Sequence, residues 1–117
     1  MEKVTITGAG LAGSEAAIYL ANKGIKVDLI EMRPNKTTGA HKTGYCAEFV
    51  CSNSLGAVDI TSASGLLKEE MKLLGSTLIK EAFINSVPSG NSLSIDRFGF
   101  SKKITDIIKN HPNINFI

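Results

Sequence analysis

The sequence lacks the features that would point to a membrane, to export or to a nucleic-acid partner. No stretch approaches the roughly twenty consecutive apolar residues that a membrane-spanning helix needs. The N-terminus begins with a strand pattern and not with a secretory signal, so we expect a cytoplasmic protein. The net charge is only +2 and the 13 Lys and Arg residues are scattered, which neither supports nor excludes an RNA partner.

Cysteine is also scarce, with two residues in the chain. Cys46 and Cys51 are expected to be thiols and not a disulfide, because the chain carries no export signal. Together with His41 they are three potential zinc ligands, but no fourth ligand is near and the spacing is not that of a zinc finger or ribbon. We therefore expect no metal. With 117 residues, 43% hydrophobic and 21% charged, the chain has the composition of one ordinary globular domain.

What the chain does contain is a glycine-rich turn between a strand and a helix. Residues 4–7 have the pattern of a short buried strand, GAGLAG follows at once, and residues 14–23 predict a helix of small residues. Gly8 allows a sharp turn, Gly10 lets the backbone approach a pyrophosphate, and Gly13 lets the helix pack close to the sheet. The free amides at the positive end of the helix would then face the phosphates.

A second strand and an acid complete this pattern. Residues 27–30 predict a buried strand, and Glu31 follows it, eighteen positions after Gly13, where a carboxylate can accept both hydroxyls of a ribose. Because an acid would repel a ribose phosphate, FAD or NAD is favoured over NADP at this position. Arg33 can reach the adenosine moiety or lie on the surface. The residues expected to bind the cofactor are Gly8, Ala9, Gly10, Leu11, Ala12, Gly13, Glu31 and Arg33.

The middle of the chain is less regular. Residues 32–64 predict a long loop, which in a compact domain is usually functional or disordered. Residues 66–83 predict one amphipathic helix, and its apolar stripe is expected to be ordinary core. The stripe consists of Leu67, Met71, Leu74 and Leu78.

The last third of the chain predicts a short strand at residues 92–95, a helix with Ser101 as its N-cap, and a final strand at residues 113–117. The whole pattern is that of an α/β, Rossmann-like FAD/NAD(P)-binding domain whose parallel sheet starts with a βαβ unit. Because a doubly wound sheet needs more parallel strands than these three, we expect residues 1–117 to be the N-terminal part of a larger flavoprotein.

Five segments together resemble one known family. They are GAGLAGSEAA (8–17), EMRP (31–34), VCSNSL (50–55), GLLKEEM (65–71) and IDR (95–97). In their type and order they are similar to the folate- and FAD-dependent tRNA (uracil-5-)-methyltransferases, the TrmFO family, which is related to the GidA flavoproteins. The glycine turn is common to many flavoproteins, whereas VCSNSL and GLLKEEM are much more specific. Cys46 stands where the family pattern has an aromatic residue, and Gly56 where an arginine is usual.

The resemblance implies an enzyme that forms 5-methyluridine in the T-loop of tRNA. It implies 5,10-methylenetetrahydrofolate as the one-carbon donor, FAD as the cofactor that reduces the methylene group, and NAD(P)H as the reductant. By pattern alone Cys51 is more simply a buried structural cysteine, but it matches the catalytic cysteine of the family. Its implied role is either nucleophile at uracil carbon 6, or general acid/base partner of a second cysteine that lies beyond residue 117. Cys46 is interpreted as structural.

Three alternatives stay open at this point. The same chemistry could act on a uridine of ribosomal RNA. A GidA-type protein that modifies wobble uridines shares the glycine turn, although its pattern lacks VCSNSL and GLLKEEM. The third alternative is a binding module that holds the adenosine end of a nucleotide and catalyses nothing, and the 117 residues alone are expected to be inactive in any case.

Overall fold

The computed structural model describes residues 2–32, 44–49, 54–87 and 90–117. Over these ranges, strands and helices alternate at the start and end of the chain, with a cluster of helices between. In chain order the elements are β1 (Lys3–Thr7), α1 (Leu11–Asn22), β2 (Lys26–Ile30), β3 (Ser54–Ala57), α2 (Ala63–Leu73), α3 (Thr77–Ile84), β4 (Ser86–Val87), β5 (Ser92–Ile95), α4 (Arg97–Asn110) and β6 (Ile114–Phe116).

The first sheet is parallel, and its strand order is β1-β2-β6. Val4 pairs in register with Val27, and Val27 pairs with Ile114, so apolar side chains line up across the sheet. In β2, Val27 and Leu29 are buried while Lys26 and Ile30 are exposed, so one face of the sheet carries the core. The predicted α/β fold with a parallel sheet and a βαβ start is confirmed.

A second, antiparallel sheet with the order β3-β5-β4 was not predicted. Residues 92–95 do form the expected strand, but β3 lies inside the predicted loop of residues 32–64, so that prediction is wrong for Ser54–Ala57. The sequence of β3, SLGA, has little strand propensity of its own. Its pairing with β5 makes it a strand, and this partner lies far away in sequence.

The predicted single helix at residues 66–83 is in fact two helices. Helix α2 ends at Leu73, Gly75 has a φ of +87°, and α3 starts after Ser76, whose hydroxyl accepts a hydrogen bond from the Ile79 amide. A glycine in the left-handed conformation commonly ends a helix, and a serine N-cap commonly begins the next one. Leu67 and Leu74 are 57% and 72% exposed, so the expectation that they belong to the core is wrong, whereas Leu78 is buried.

Helix α4 begins earlier than predicted, because Asp96 and not Ser101 is its N-cap. The Asp96 carboxylate accepts a hydrogen bond from the Gly99 amide at 3.3 Å. Ser101 lies in the helix interior, where it is buried. Ile104 and Ile108 are fully buried on the apolar face of α4, and the helix ends at Asn110, before Pro112.

The core lies between the parallel sheet and helices α1, α3 and α4. Its largest fully buried side chain is Phe100, which contacts Phe49 edge to face with ring centroids 5.4 Å apart. That contact connects α4 to the segment of residues 44–49, which precedes β3. Within the described ranges, no helix is long and apolar enough to cross a membrane.

Candidate nucleotide-binding site

The glycine turn leaves β1 in the way its sequence predicts. Gly8 has a φ of +96°, which residues with a Cβ rarely adopt. Its amide donates to the Ile30 carbonyl at 2.7 Å, so the turn begins beside the end of β2. Helix α1 then starts at Leu11, three residues earlier than the predicted start at residue 14.

Gly13 and Gly10 play different structural parts in this turn. A Cβ at Gly13 would lie 1.8 Å from the carbonyl oxygen of Gly8, so only glycine lets α1 start this close to the end of β1. A Cβ at Gly10 would meet nothing within 4 Å, so the backbone there borders open space. A tight contact at the third glycine and an open approach at the second are what a pyrophosphate turn requires.

The start of α1 offers donors to an anion. Gly10 is its N-cap and provides no side-chain cap, and the first turn of α1 contains no acidic residue. Across the described part of the chain, the amides of residues 10–13 have no protein acceptor. The positive end of the helix dipole and these amides therefore face outward together.

Glu31 lies next to the turn, immediately after β2. One of its carboxylate oxygens accepts a hydrogen bond from the Ala9 amide at 2.8 Å, and its own amide donates to the Ile117 carbonyl at 3.1 Å. The half-buried carboxylate is thereby held at the edge of the sheet beside the glycine turn. The predicted position of this acid is confirmed, while its contact with a ribose stays a prediction.

The segment of residues 44–49 also touches the turn, which no sequence pattern predicts. The amide of Ala47 donates to the Ala9 carbonyl at 2.8 Å, and the Ser14 hydroxyl donates to the same oxygen at 3.1 Å. Cys46 is fully buried and its amide donates to the Thr105 hydroxyl at 2.8 Å. Its burial agrees with the structural role expected for Cys46.

Three residues singled out in the sequence lie outside the described residues: Arg33, His41 and Cys51. Their predicted roles stay predictions. Within the described ranges, no group of three His, Cys, Asp or Glu side chains could hold a metal ion. Since two of the three zinc ligands considered lie outside those ranges, the expectation of no metal also stays a prediction.

An apolar groove with a volume of about 830 Å³ runs along α1 from its start. Its few polar groups are largely engaged with each other: Lys68 donates to the Ser64 hydroxyl at 2.6 Å and to the Ala57 carbonyl at 3.1 Å, and the Ser76 hydroxyl binds Glu15. Burial lowers the pKa of the Lys68 ammonium. Because the polar groups in the groove bind one another, we assign it no ligand.

Two polar residues, His111 and Asp96, flank α4. His111 follows the end of α4, and its imidazole hydrogen bonds across to Asn22 at 2.8 Å and accepts from the Asn113 amide at 3.1 Å. Asp96 caps the start of α4, where its side chain accepts from the Gly99 amide. Both residues hold elements together away from the glycine turn.

Comparison with known proteins agrees with this geometry. Residues 3–117 match the family described as GIDA, Glucose inhibited division protein A. The chain belongs to the GidA family. A solved structure of GidA from Aquifex aeolicus superposes with a TM-score of 0.74 over 97% of this chain and 19% of that one, at 17% sequence identity. That likeness concerns the fold, and it confirms the predicted Rossmann-like architecture.

The chain is also similar in sequence to proteins named TrmFO. It is 62% identical over 117 residues to the methylenetetrahydrofolate–tRNA-(uracil-5-)-methyltransferase TrmFO of Persephonella marina, and 56% identical over 116 residues to the protein of that name from Aquifex aeolicus. All or nearly all of this chain is covered, but only 27% and 26% of those relatives. The chain thus spans about a quarter of the relatives' length, and the resemblance drawn from its motifs is confirmed.

Proposed function

We propose that this chain is the FAD-binding start of a methylenetetrahydrofolate- and FAD-dependent tRNA (uracil-5-)-methyltransferase of the cytoplasm. The observation that carries the proposal is the identity of 62% over every residue of the chain to an enzyme named for that reaction. The proposal covers residues 1–117 as the N-terminal part of one Rossmann-like domain. The substrates are tRNA, with a T-loop uridine as the target, and methylenetetrahydrofolate.

The described residues fit the adenosine diphosphate part of FAD. The amides of residues 10–13 would bind the diphosphate, since they face outward from the helix start without an acceptor among the described residues. Gly10 leaves space for the close approach. Glu31 would accept the ribose hydroxyls, and its contact with Ala9 holds the carboxylate next to the diphosphate site. Arg33 follows two residues later and would contact the adenosine.

The chemistry expected of the chain itself centres on Cys51. Uracil carbon 5 is a poor nucleophile until a thiolate adds to carbon 6 and gives the ring enolate character. Cys51 would supply that thiolate, or would act as acid/base partner to a second cysteine elsewhere in the protein. FAD, when bound and reduced, supplies the electrons that convert the transferred methylene group into a methyl group, and NAD(P)H is the proposed source of those electrons.

The test compares two cysteine variants of the full-length protein. Cys51→Ala is expected to abolish 5-methyluridine formation while FAD remains bound, because the thiol is needed for the uracil and not for the cofactor. Cys46→Ala is the matched control: it removes a buried thiol from the neighbouring segment but keeps the Cys46 backbone amide that binds Thr105, so we expect methylation to continue. Nucleoside mass spectrometry of a tRNA transcript measures the product, and flavin absorbance measures the cofactor.

Each outcome has a defined meaning. A correctly folded wild-type protein without flavin absorbance would refute the FAD proposal. Near-normal methylation by Cys51→Ala would remove the cysteine from the chemistry but leave the cofactor assignment standing. A ribosomal RNA fragment serves as the second substrate in the same assay, and preference for it over tRNA would overturn the proposed substrate.

A further inference from the structure

Two buried hydroxyl groups on α4 hold the segment of residues 44–49. Ser101 and Thr105 lie one helical turn apart, and each is only 3% exposed. The Thr105 hydroxyl accepts from the Cys46 amide at 2.8 Å and donates to the Ser101 carbonyl at 2.7 Å. The Ser101 hydroxyl donates to the Ala47 carbonyl at 3.1 Å. Two consecutive residues of the segment are therefore bound to one face of α4.

The backbone that these bonds hold is in an unfavourable conformation. Ala47 has a φ of +55°, and among the described residues it is the only one besides glycine with a positive φ. The left-handed region costs free energy for a residue with a Cβ, so such a conformation persists only where its surroundings impose it. Here Ser101 and Thr105 bind the residue itself and the one before it.

The conformation of Ala47 directs its amide at the glycine turn. That amide donates to the Ala9 carbonyl at 2.8 Å. In a trans peptide the carbonyl of one residue and the amide of the next point in opposite directions. Whatever fixes the Ala9 carbonyl therefore also fixes the direction of the Gly10 amide, which borders the open space at the start of α1.

We propose that Ser101 and Thr105 are positioning residues for the diphosphate-binding turn, acting through Cys46, Ala47 and Ala9. The proposal rests on the proposed FAD function, since the turn must bind a diphosphate for its orientation to matter. It adds a role that the glycine pattern itself does not contain: the geometry of the turn depends on hydroxyl groups that lie more than eighty positions later in the chain.

Apolar packing is the competing explanation, because Phe49 and Phe100 also connect the segment to α4. The two explanations differ for Thr105→Val, which preserves shape and burial but removes the acceptor of the Cys46 amide. If packing alone held the segment, this variant would bind FAD normally. If the hydroxyl positions the turn, a buried amide loses its partner and the segment shifts.

The experiment measures FAD affinity and thermal stability of the full-length protein in four variants. For Thr105→Val and Ser101→Ala we expect FAD to bind roughly three- to tenfold more weakly, as follows from the loss of one buried hydrogen bond transmitted to the site. Thr105→Ser retains the hydroxyl and should restore near wild-type affinity. Ile104→Val is the control, since it removes one fully buried methyl group from the neighbouring position on α4 and leaves both hydroxyl groups in place.

The control separates positioning from general loss of stability. We expect Ile104→Val to lower the Tm as much as Thr105→Val does, while FAD affinity stays at the wild-type value. Amide hydrogen exchange provides a readout that needs no cofactor: in Thr105→Val the amide of Ala47 should exchange faster, with the amides of β2 unchanged.

The results that would overturn the inference are distinct from those that overturn the function. Wild-type protein that binds no FAD would refute the proposed function, and the positioning role with it. Wild-type protein that binds FAD, together with unchanged FAD affinity or unchanged Ala47 exchange in Thr105→Val, would refute the positioning role alone. Equal losses of affinity in Ile104→Val and Thr105→Val would also refute it, since stability would then explain both.

Discussion

Replacing Gly13 by alanine tests the tightest contact in the proposed site. The new Cβ would lie 1.8 Å from the Gly8 carbonyl oxygen and 3.0 Å from its carbon. An ordinary contact of 3.4 Å requires the start of α1 to move away from the end of β1 by about 1.6 Å. Both partners are backbone and neither can rotate away, so we expect a cost of about 3 kcal/mol, at the upper end of the usual range for overpacking.

Gly10→Ala is the matched comparison, because a Cβ there meets nothing within 4 Å and Gly10 has an ordinary φ of −75°. Its cost in stability should stay below about 1 kcal/mol, the effect of a poorer N-cap residue. Its methyl group would nevertheless occupy the open space in which the diphosphate is proposed to bind. We therefore expect Gly10→Ala to weaken FAD binding by about tenfold or more, equivalent to about 1.4 kcal/mol.

The assay for this pair is urea unfolding of the cofactor-free protein, followed by FAD titration of the folded variants. The expected result is a crossed pattern, in which Gly13→Ala mainly lowers the free energy of unfolding and Gly10→Ala mainly lowers FAD affinity. Unchanged stability in Gly13→Ala would refute the close contact between α1 and the Gly8 carbonyl. Unchanged FAD affinity in Gly10→Ala would show that no ligand approaches the backbone at this glycine.

Two further predictions concern charged groups. Glu31→Gln keeps an acceptor for the Ala9 amide but loses the charge, so we expect an intact fold and several-fold weaker FAD binding. FAD titration measures the affinity. An affinity equal to that of the wild type would exclude a ribose contact that needs the carboxylate. Hydrogen bonds from Lys3, the larger effect, and from Asn115 lower the pKa of Asp28 below its ordinary value of 3.8. The stabilising effect of the Asp28 carboxylate should therefore be complete above pH 3.8 and disappear as the pH falls through the lowered pKa. The Tm difference between wild type and Asp28→Asn should therefore shrink at acid pH, and a difference independent of pH would contradict this.

Local patterns predicted the structure of the first 31 residues well, because their conformations depend on neighbouring residues. The turn needs Gly8 at positive φ, and the helix start needs Gly13 at a close approach, and both requirements are visible as glycines at fixed spacing. Glu31 follows directly from the end of β2. Each of these features depends on residues within one βαβ unit.

The predictions failed where a distant partner or a single backbone angle decides the structure. The strand Ser54–Ala57 forms because β5 lies beside it. The break between α2 and α3 depends on one left-handed glycine, Gly75, inside a sequence with a continuous helical period. Ser101 has the residue type of an N-cap, but Asp96 already caps the helix and Ser101 is needed inside.

The sequence by itself determined the fold class, the glycine turn and the position of Glu31, because strand and helix periods and glycine spacing are local properties of the chain. Only the tertiary structure decided that residues 44–49 lie against the turn and that Ser101 and Thr105 hold them there. Hydrogen bonds between groups more than fifty positions apart produce no periodic pattern in the sequence, since each bond depends on how the fold brings two distant segments of the chain together.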